Sequence, residues 1–298
     1  MKHFLSISDM NTTEIMELLQ EADTFSRGEQ WKTTEPVFVA NLFYEPSTRT
    51  KCSFEIAERR LGLELLPFEI GNSSVLKGET LYDTIKTLQS IGVKLAVIRH
   101  KQDHYYEQLI NHVDLSIVNG GDGSGQHPSQ CLLDLLTIKQ EFGYFNGLNV
   151  LIVGDIVHSR VARSNYEALR KLGANVKFSG PRDWFDPTFL QTDYIEINQG
   201  IKEADVVMLL RIQHERHEQS AQFSKADYHI QYGLTLEREQ QMKQGSIIMH
   251  PGPVNRDVEI ASELVEGKRS RIFKQMENGV FARMAILKTI LQNEKVVC

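Results

Sequence analysis

Four consecutive residues, Ser47-Thr48-Arg49-Thr50, carry three hydroxyls and a guanidinium directly ahead of a helical pattern. The apolar run Val37 to Leu42 leads into them, and Phe54, Ala57 and Leu61 follow at helical spacing, so the segment reads as strand, tight turn and helix start. A helix N-terminus presents unpaired N–H groups and the positive end of the helix dipole. Hydroxyls and a guanidinium added at that point make a cradle for phosphate. A Ser-Thr pair at a helix start is by itself more often a simple cap, so the reading depends on what else the chain offers.

Other candidates stand at the ends of apolar runs. Arg99 and His100 follow Lys94–Ile98, and ligands of open α/β sheets gather beyond the carboxyl ends of strands. His127 and Gln130 flank a helix entrance at Pro128, where an imidazole N–H and an amide can bind a carbonyl oxygen. In the second half Gly154-Asp155 leads to Arg160, Leu210 leads to Arg211, and Met249 leads to His250-Pro251-Gly252-Pro253, which places these groups at one shared cleft. Two arginines suit a substrate with two carboxylates, because charge-assisted hydrogen bonds contribute roughly 1.5–3 kcal/mol each. Gln213, just beyond Arg211, adds an amide.

The elements that must position these groups follow an alternating pattern. Strand-like runs lie at Val37–Leu42, Leu63–Phe68, Lys94–Ile98, Ser116–Val118, Leu148–Val153, Asn175–Phe178, Val206–Leu210 and Ser246–Met249. Helical patterns alternate with them at Thr12–Ala22, Glu79–Ile91, Pro128 to about Phe142, Val161–Leu172 and Leu236–Lys243. Leu81, Ile85, Leu88 and Ile91 form one apolar side of the second of these, with Gly92 as its stop. Such alternation predicts an α/β fold with parallel sheets flanked by helices. Gly71–Gly78 reads as a mobile loop, Asn119–Pro128 as a glycine-rich turn, Gly143–Gly147 as a hinge, Gln213–Gln231 as a long polar loop that closes over ligands, and Asn278-Gly279 as the start of a final helix. The glycine-rich turn lacks the dinucleotide spacing and an acidic residue placed for a ribose.

Composition narrows the class further. The 298 residues suffice for two domains, and 41% hydrophobic with 24% charged residues is the balance of a globular protein. A net charge of −6 without a basic tract argues against a nucleic-acid groove, so any anion must be held by local cations. Cys52, Cys131 and Cys298 form neither a disulfide framework nor a metal cluster and point to a reducing cytoplasm. His100 with His104, and His214-Glu215-Arg216-His217, lack a third ligand or the zinc spacing, so no metal site is expected, and with neither a Walker nor a Rossmann pattern present no nucleotide cofactor is expected either. No run approaches the roughly 18 apolar residues of a membrane span.

Taken in order, Pro46-Ser47-Thr48-Arg49-Thr50, Lys77-Gly78-Glu79-Thr80, Arg99-His100, His127-Pro128-Ser129-Gln130, Arg160, Arg211-Ile212-Gln213 and His250-Pro251-Gly252-Pro253 resemble the motifs of the transcarbamoylase family. The resemblance implies two α/β domains: residues 1–142 binding carbamoyl phosphate, residues 143–277 binding an amino acid, and a helix over 278–298 packing back on the first. It implies that Ser47, Thr48, Arg49 and Thr50 hold the phosphate together with Ser73 and Lys77 from a neighbouring subunit, which makes a homotrimer, or an assembly of trimers, the working form. Arg99, His127 and Thr50 would polarise the carbonyl oxygen. Gln130 and the Pro251-Gly252-Pro253 turn would hold the carbamoyl nitrogen, and Arg160, Arg211, Gln213 and Lys77 the amino acid.

Within the family the aspartate branch is the better match. Lys77-Gly78-Glu79-Thr80 and Arg211-Ile212-Gln213-His214-Glu215-Arg216 resemble its motifs, and His250-Pro251-Gly252-Pro253 lacks the Cys-Leu-Pro of the ornithine branch. Arg211 would also repel an ammonium side chain. The implied reaction joins carbamoyl phosphate to L-aspartate with the departing phosphate as proton acceptor. Gly252 stands where leucine is common in the family and Val157 where a lysine often occurs, departures that bear on substrate geometry. The alternatives are transfer to ornithine or another amino acid, and a non-catalytic protein that binds phosphate or a metabolite.

Overall fold

The computed structural model describes residues 1–185, 193–212 and 224–294. It comprises two compact units, Met1–Leu136 with the segment from Met276 onward, and Thr137–Gln275. Among the described residues no helix is long and apolar enough to cross a membrane.

In the first unit the order is α1 (Thr12–Ser26), β1 (Phe38–Phe43), α2 (Thr48–Arg60), β2 (Glu64–Leu66), α3 (Leu81–Ser90), β3 (Leu95–His100), β4 (Ser116–Asp122) and the start of α4 (Pro128–Phe142). Asn11 and Glu14 close a reciprocal capping box at α1, and Ile15, Leu18, Leu19, Ala22 and Phe25 form its buried face. The four strands pair in parallel in the order β2-β1-β3-β4. Most of β1 and β3 and all of β4 are buried on both faces, as crossover helices require, whereas the edge strand β2 is only partly covered. The free edge of β4 is covered by the N-terminal segment, with Phe4 N donating to Ile117 O at 2.9 Å and Asn119 N to Phe4 O at 2.8 Å.

The second unit follows with β5 (Asn149–Val153), α5 (Arg160–Lys171), β6 (Asn175–Ser179), α6 (Ile197–Glu203), β7 (Val206–Leu209), α7 (Lys225–Tyr232), α8 (Leu236–Glu239) and β8 (Ile247–Met249). Its sheet is again parallel, in the order β6-β5-β7-β8. The chain passes from one unit to the other within α4 and returns within α9 (Ile272–Asn293). Gly143–Gly147, read from sequence as a hinge, joins α4 to β5.

Several local expectations need correction. Ile91 is 66% exposed, because α3 ends at Ser90 and the residue belongs to the turn that Gly92 completes. Asn119, Gly120 and Gly121 are the carboxyl half of β4 rather than a turn. The last helix begins at Ile272, ahead of the Asn278-Gly279 pair, so Gly279 lies in its interior, where a Cβ would meet Arg283 Nη1 at 2.6 Å. Part of the supposed polar loop, Lys225–Tyr232, is helix, started by a capping box between Ser224 and Asp227; residues 213–223 lie outside the described residues.

Candidate active site

The strand order of the first sheet reverses between β1 and β3: the chain leaves β1 for β2 on one side and returns to β3 on the other. Open α/β sheets leave a crevice at such a switch point, at the carboxyl ends of the strands. There Phe43 pairs with Arg99, and Tyr44 N donates to Arg99 O at 2.9 Å. Helix α2 starts immediately beyond, and Ser47, its cap residue, makes no side-chain capping bond. The first-turn amides of α2 therefore stay outside the intrahelical ladder. Thr48 and Arg49 are exposed there and Thr50 is buried.

Arg99 is aimed by a bulge. Ile98 lies opposite Asn119 but Arg99 opposite Gly121, so Gly120 is the extra residue, and a Cβ on it would approach Ile98 O to 3.3 Å. The Arg99 side chain, 13% exposed, places Nε 3.2 Å from Glu45 Oε2 and Nη1 3.4 Å from His127 Nε2. A guanidinium only donates, so His127 Nε2 is the acceptor in this pair and the ring proton sits on Nδ1. His127 O receives the amides of Gln130 (3.0 Å) and Cys131 (3.1 Å), which starts α4 and holds the buried imidazole at its mouth. Gln130 turns its Nε2 to Asp134 Oδ1 at 2.9 Å.

Ser73 and Lys77 belong to the exposed segment after β2. Ser73 Oγ donates to Ile70 O at 2.9 Å, and Lys77 ends the short helical turn Ser74–Lys77. Among the described residues neither bonds to Arg99, His127 or the α2 mouth. Leu76 between them is 71% exposed.

The second sheet repeats the plan, its order reversing between β5 and β7. Gly154, at φ +140, ends β5 where a Cβ would stand 2.8 Å from Leu210 Cβ, so the two strand tips meet only through a glycine. Buried Asp155 follows, with both carboxylate oxygens 3.0 Å from His158 Nδ1. That turn delivers Ser159, whose Oγ caps α5 by accepting from Ala162 N at 3.2 Å, and Arg160, the first residue of α5. Arg211 lies just past the end of β7, where Leu210 N donates to Val153 O at 2.8 Å.

Beyond β8, His250 is sealed from solvent and determines the turn after it. Its Nδ1 accepts from Gly252 N at 2.8 Å, which puts the ring proton on Nε2, donated to Glu259 Oε1 at 3.0 Å. Glu259 Oε1 also accepts from Asn255 N at 2.6 Å, and Asn255 Nδ2 donates to Ile212 O at 3.2 Å, tying this turn to the Arg211 segment. The Gly252-Pro253 peptide is cis.

The structure thus collects Ser47, Thr48, Arg49, Thr50, Arg99, His127 and Gln130 at one end of the first sheet. It collects Arg160, Arg211, Pro251, Gly252 and Pro253 at the corresponding end of the second. Gln213 lies outside the described residues. Sequence reasoning passed over Glu45, Asp134, Asp155, Glu259 and Arg283. The available signal was a charge inside an apolar stripe: Asp134 among Leu132, Leu133, Leu135 and Leu136, and Arg283 among Ala282, Met284 and Ala285.

Comparison with known proteins agrees with this geometry. The carbamoyl-P binding domain of aspartate/ornithine carbamoyltransferase matches residues 2–140, and the Asp/Orn binding domain matches residues 146–290. The chain is similar to the catalytic subunit of M. jannaschii aspartate transcarbamoylase, with 32% identity, a TM-score of 0.85 and 99% of each chain covered. It is also similar to aspartate transcarbamoylase from Trypanosoma cruzi in complex with N-(phosphonacetyl)-L-aspartic acid, with 30% identity, a TM-score of 0.85, and 97% of this chain and 95% of that one covered. The same enzyme in complex with carbamoyl aspartate and phosphate matches equally, at 30% identity and a TM-score of 0.85 over the same shares. With two family domains matched in order over nearly its whole length, the chain belongs to the aspartate/ornithine carbamoyltransferase family.

Proposed function

We propose that this protein transfers the carbamoyl group of carbamoyl phosphate to the amine of L-aspartate, giving N-carbamoyl-L-aspartate and phosphate on the route to pyrimidines. The observation that carries this reading is the placement of cations at both switch points: Arg99 beside His127 and the α2 mouth in one unit, Arg160 and Arg211 at the strand tips of the other. The matched enzyme from Trypanosoma cruzi was solved with carbamoyl aspartate and phosphate, the products of the same transfer.

In this reading Ser47, Thr48, Arg49 and Thr50 hold the phosphate at the helix mouth. The carbamoyl oxygen replaces His127 Nε2 as the acceptor of Arg99, and His127, with its proton moved to Nε2, becomes a second donor beside Thr50. Gln130 and the Pro251-Gly252-Pro253 turn take the carbamoyl nitrogen, while Arg160, Arg211 and Gln213 bind the aspartate carboxylates. The neutral amine attacks the carbamoyl carbon, the bond to the phosphate oxygen breaks, and the departing phosphate takes the amine proton. Rate enhancement then comes from alignment, worth roughly 7–11 kcal/mol in favourable systems, and from oxyanion donors at about 2.7–4 kcal/mol each.

Ser73 and Lys77 act on a neighbouring subunit in a cytoplasmic homotrimer, a role that fits their exposed segment and the outward Leu76. Lys77 there reaches both the phosphate and aspartate. The test is phosphate release from carbamoyl phosphate with aspartate and ornithine offered in parallel. Release with aspartate alone is expected; release only with ornithine, or with neither, overturns the assignment.

A further inference from the structure

A buried charge pair lies under the carbamoyl end of the first unit, and the reaction as written does not use it. Arg283 on α9 is 2% exposed. Its Nη1 donates to Gly279 O at 2.8 Å and its Nη2 approaches Ser129 Oγ at 3.4 Å. Its Cζ stands 4.9 Å over the Phe54 ring, and Nε has no hydrogen-bond partner among the described residues. Burial pulls the guanidinium down to about 9 and the charge of Arg99 adds to this, while the carboxylate of Asp134 acts the other way. Asp134 is itself fully buried and accepts from Gln130 Nε2 at 2.9 Å. A buried guanidinium is costly to leave without a nearby anion, and the charge of Asp134 acts on Arg283 in the favourable sense.

That pairing has a chemical consequence at Gln130. A carboxylate beside a guanidinium accepts hydrogen bonds and donates none, so it dictates which end of the glutamine amide faces it. The nitrogen goes to Asp134, and Oε1 is left with no partner among the described residues. A free amide would present nitrogen or oxygen alike. Carbamoyl and acetyl phosphate differ only in NH2 against CH3 at the acyl carbon. An acceptor held at that position pairs with NH2 and is stranded by CH3, and buried polar groups left unpaired are what give a site its strongest discrimination.

We infer that Asp134, whose Oδ1 takes the Gln130 amide nitrogen at 2.9 Å, is a positioning residue that locks the Gln130 amide oxygen toward the acyl substituent, so that the site selects carbamoyl phosphate over acetyl phosphate. This rests on the carbamoyl phosphate reading given above. The test measures dissociation constants of carbamoyl phosphate, acetyl phosphate and inorganic phosphate by calorimetry for wild type, Asp134→Asn, Gln130→Ala and the double variant. Asparagine presents either nitrogen or oxygen and unlocks the glutamine.

The expected result for Asp134→Asn is carbamoyl phosphate weakened about tenfold, with acetyl phosphate and inorganic phosphate changed by less than about twofold. Adding Gln130→Ala to it brings no further loss. Should removal of the buried anion alone prevent folding, Asp134→Asn with Arg283→Met removes both charges and is expected to lose the same selectivity. Unchanged selectivity in a folded variant, equal weakening of all three ligands, or additive effects of the two substitutions each overturn the inference. Selectivity is read in binding and the transferase assignment in turnover. Wild-type protein that selects carbamoyl phosphate without turnover sinks the assignment alone, and turnover with selectivity unmoved in the variants sinks this inference alone.

Discussion

Arg49 and Glu259 show two ways in which a single side chain serves the site. Arg49 is exposed at the mouth of α2. Its replacement by alanine is expected to leave the melting temperature within about 2 °C of wild type while lowering kcat/KM about 10²–10³-fold, the scale of losing one oriented charge-stabilising donor. Near-normal turnover in the folded variant would remove Arg49 from the site. Glu259 is 1% exposed and accepts from both His250 Nε2 and Asn255 N. Glu259→Ala strands the buried His250 Nε2 donor and the half-buried Asn255 amide, so unfolding in urea should show a loss of about 2–4 kcal/mol. An unchanged midpoint would mean that another acceptor takes over the histidine.

Helix α2 and strand β5 carry the costs of holding the two half-sites. Glu58 on α2 is buried, with Asn41 Nδ2 donating to its Oε2 at 2.9 Å. Its carboxyl is pushed up from 4.5 to about 7, chiefly by burial, with the Asn41 bond opposing, the charge of Glu55 adding and Arg59 opposing. The folded protein therefore holds this proton more tightly than the unfolded chain. The stabilisation is complete below the unfolded pKa and is lost as pH rises through about 7. Unfolding free energy should fall by roughly 3 kcal/mol across that window from this group, and Glu58→Gln should flatten the dependence between pH 4.5 and about 7. An equally steep profile in the glutamine variant would assign it to other groups. At the tip of β5, Gly154→Ala forces a Cβ into Leu210 at φ +140 and should cost about 1–3 kcal/mol while impairing aspartate more than carbamoyl phosphate binding. Equal stability would show that the β5 and β7 tips can separate freely.

Over the whole chain, the net charge of −6 repels both anionic substrates, so capture depends on arginines concentrated at two strand edges. Completion of the site by a neighbouring subunit is tested by mixing two inactive proteins. Subunits carrying Arg49→Ala and Lys77→Ala should regain activity when dissociated and reassembled together, because some mixed sites then hold both native residues. No recovery in trimers verified by sizing would place Lys77 in the same site as its own Arg49, or outside any site.

Much of this protein was legible before any coordinates. Strand and helix periods reveal themselves locally, so the alternation of elements could be read along with the residues that end each strand, among them Arg99, Arg160, Arg211 and His250. Short-range chemistry likewise announced the α2 mouth, since Ser47 to Thr50 are contiguous. What could not be read is whatever depends on neighbours distant in sequence. Gly120 looked like part of a turn because nothing local says that a bulge opposite Arg99 needs it; Ile91 fitted a helical stripe because the pattern cannot see where packing stops. Asp134 and Arg283 were invisible as a pair, for burial turns two ordinary surface-type residues into a mutually dependent charge couple only after α4 and α9 have been brought together. Sequence periodicity reports which face is apolar, whereas desolvation and charge coupling belong to three-dimensional proximity, and these give the buried groups their chemistry.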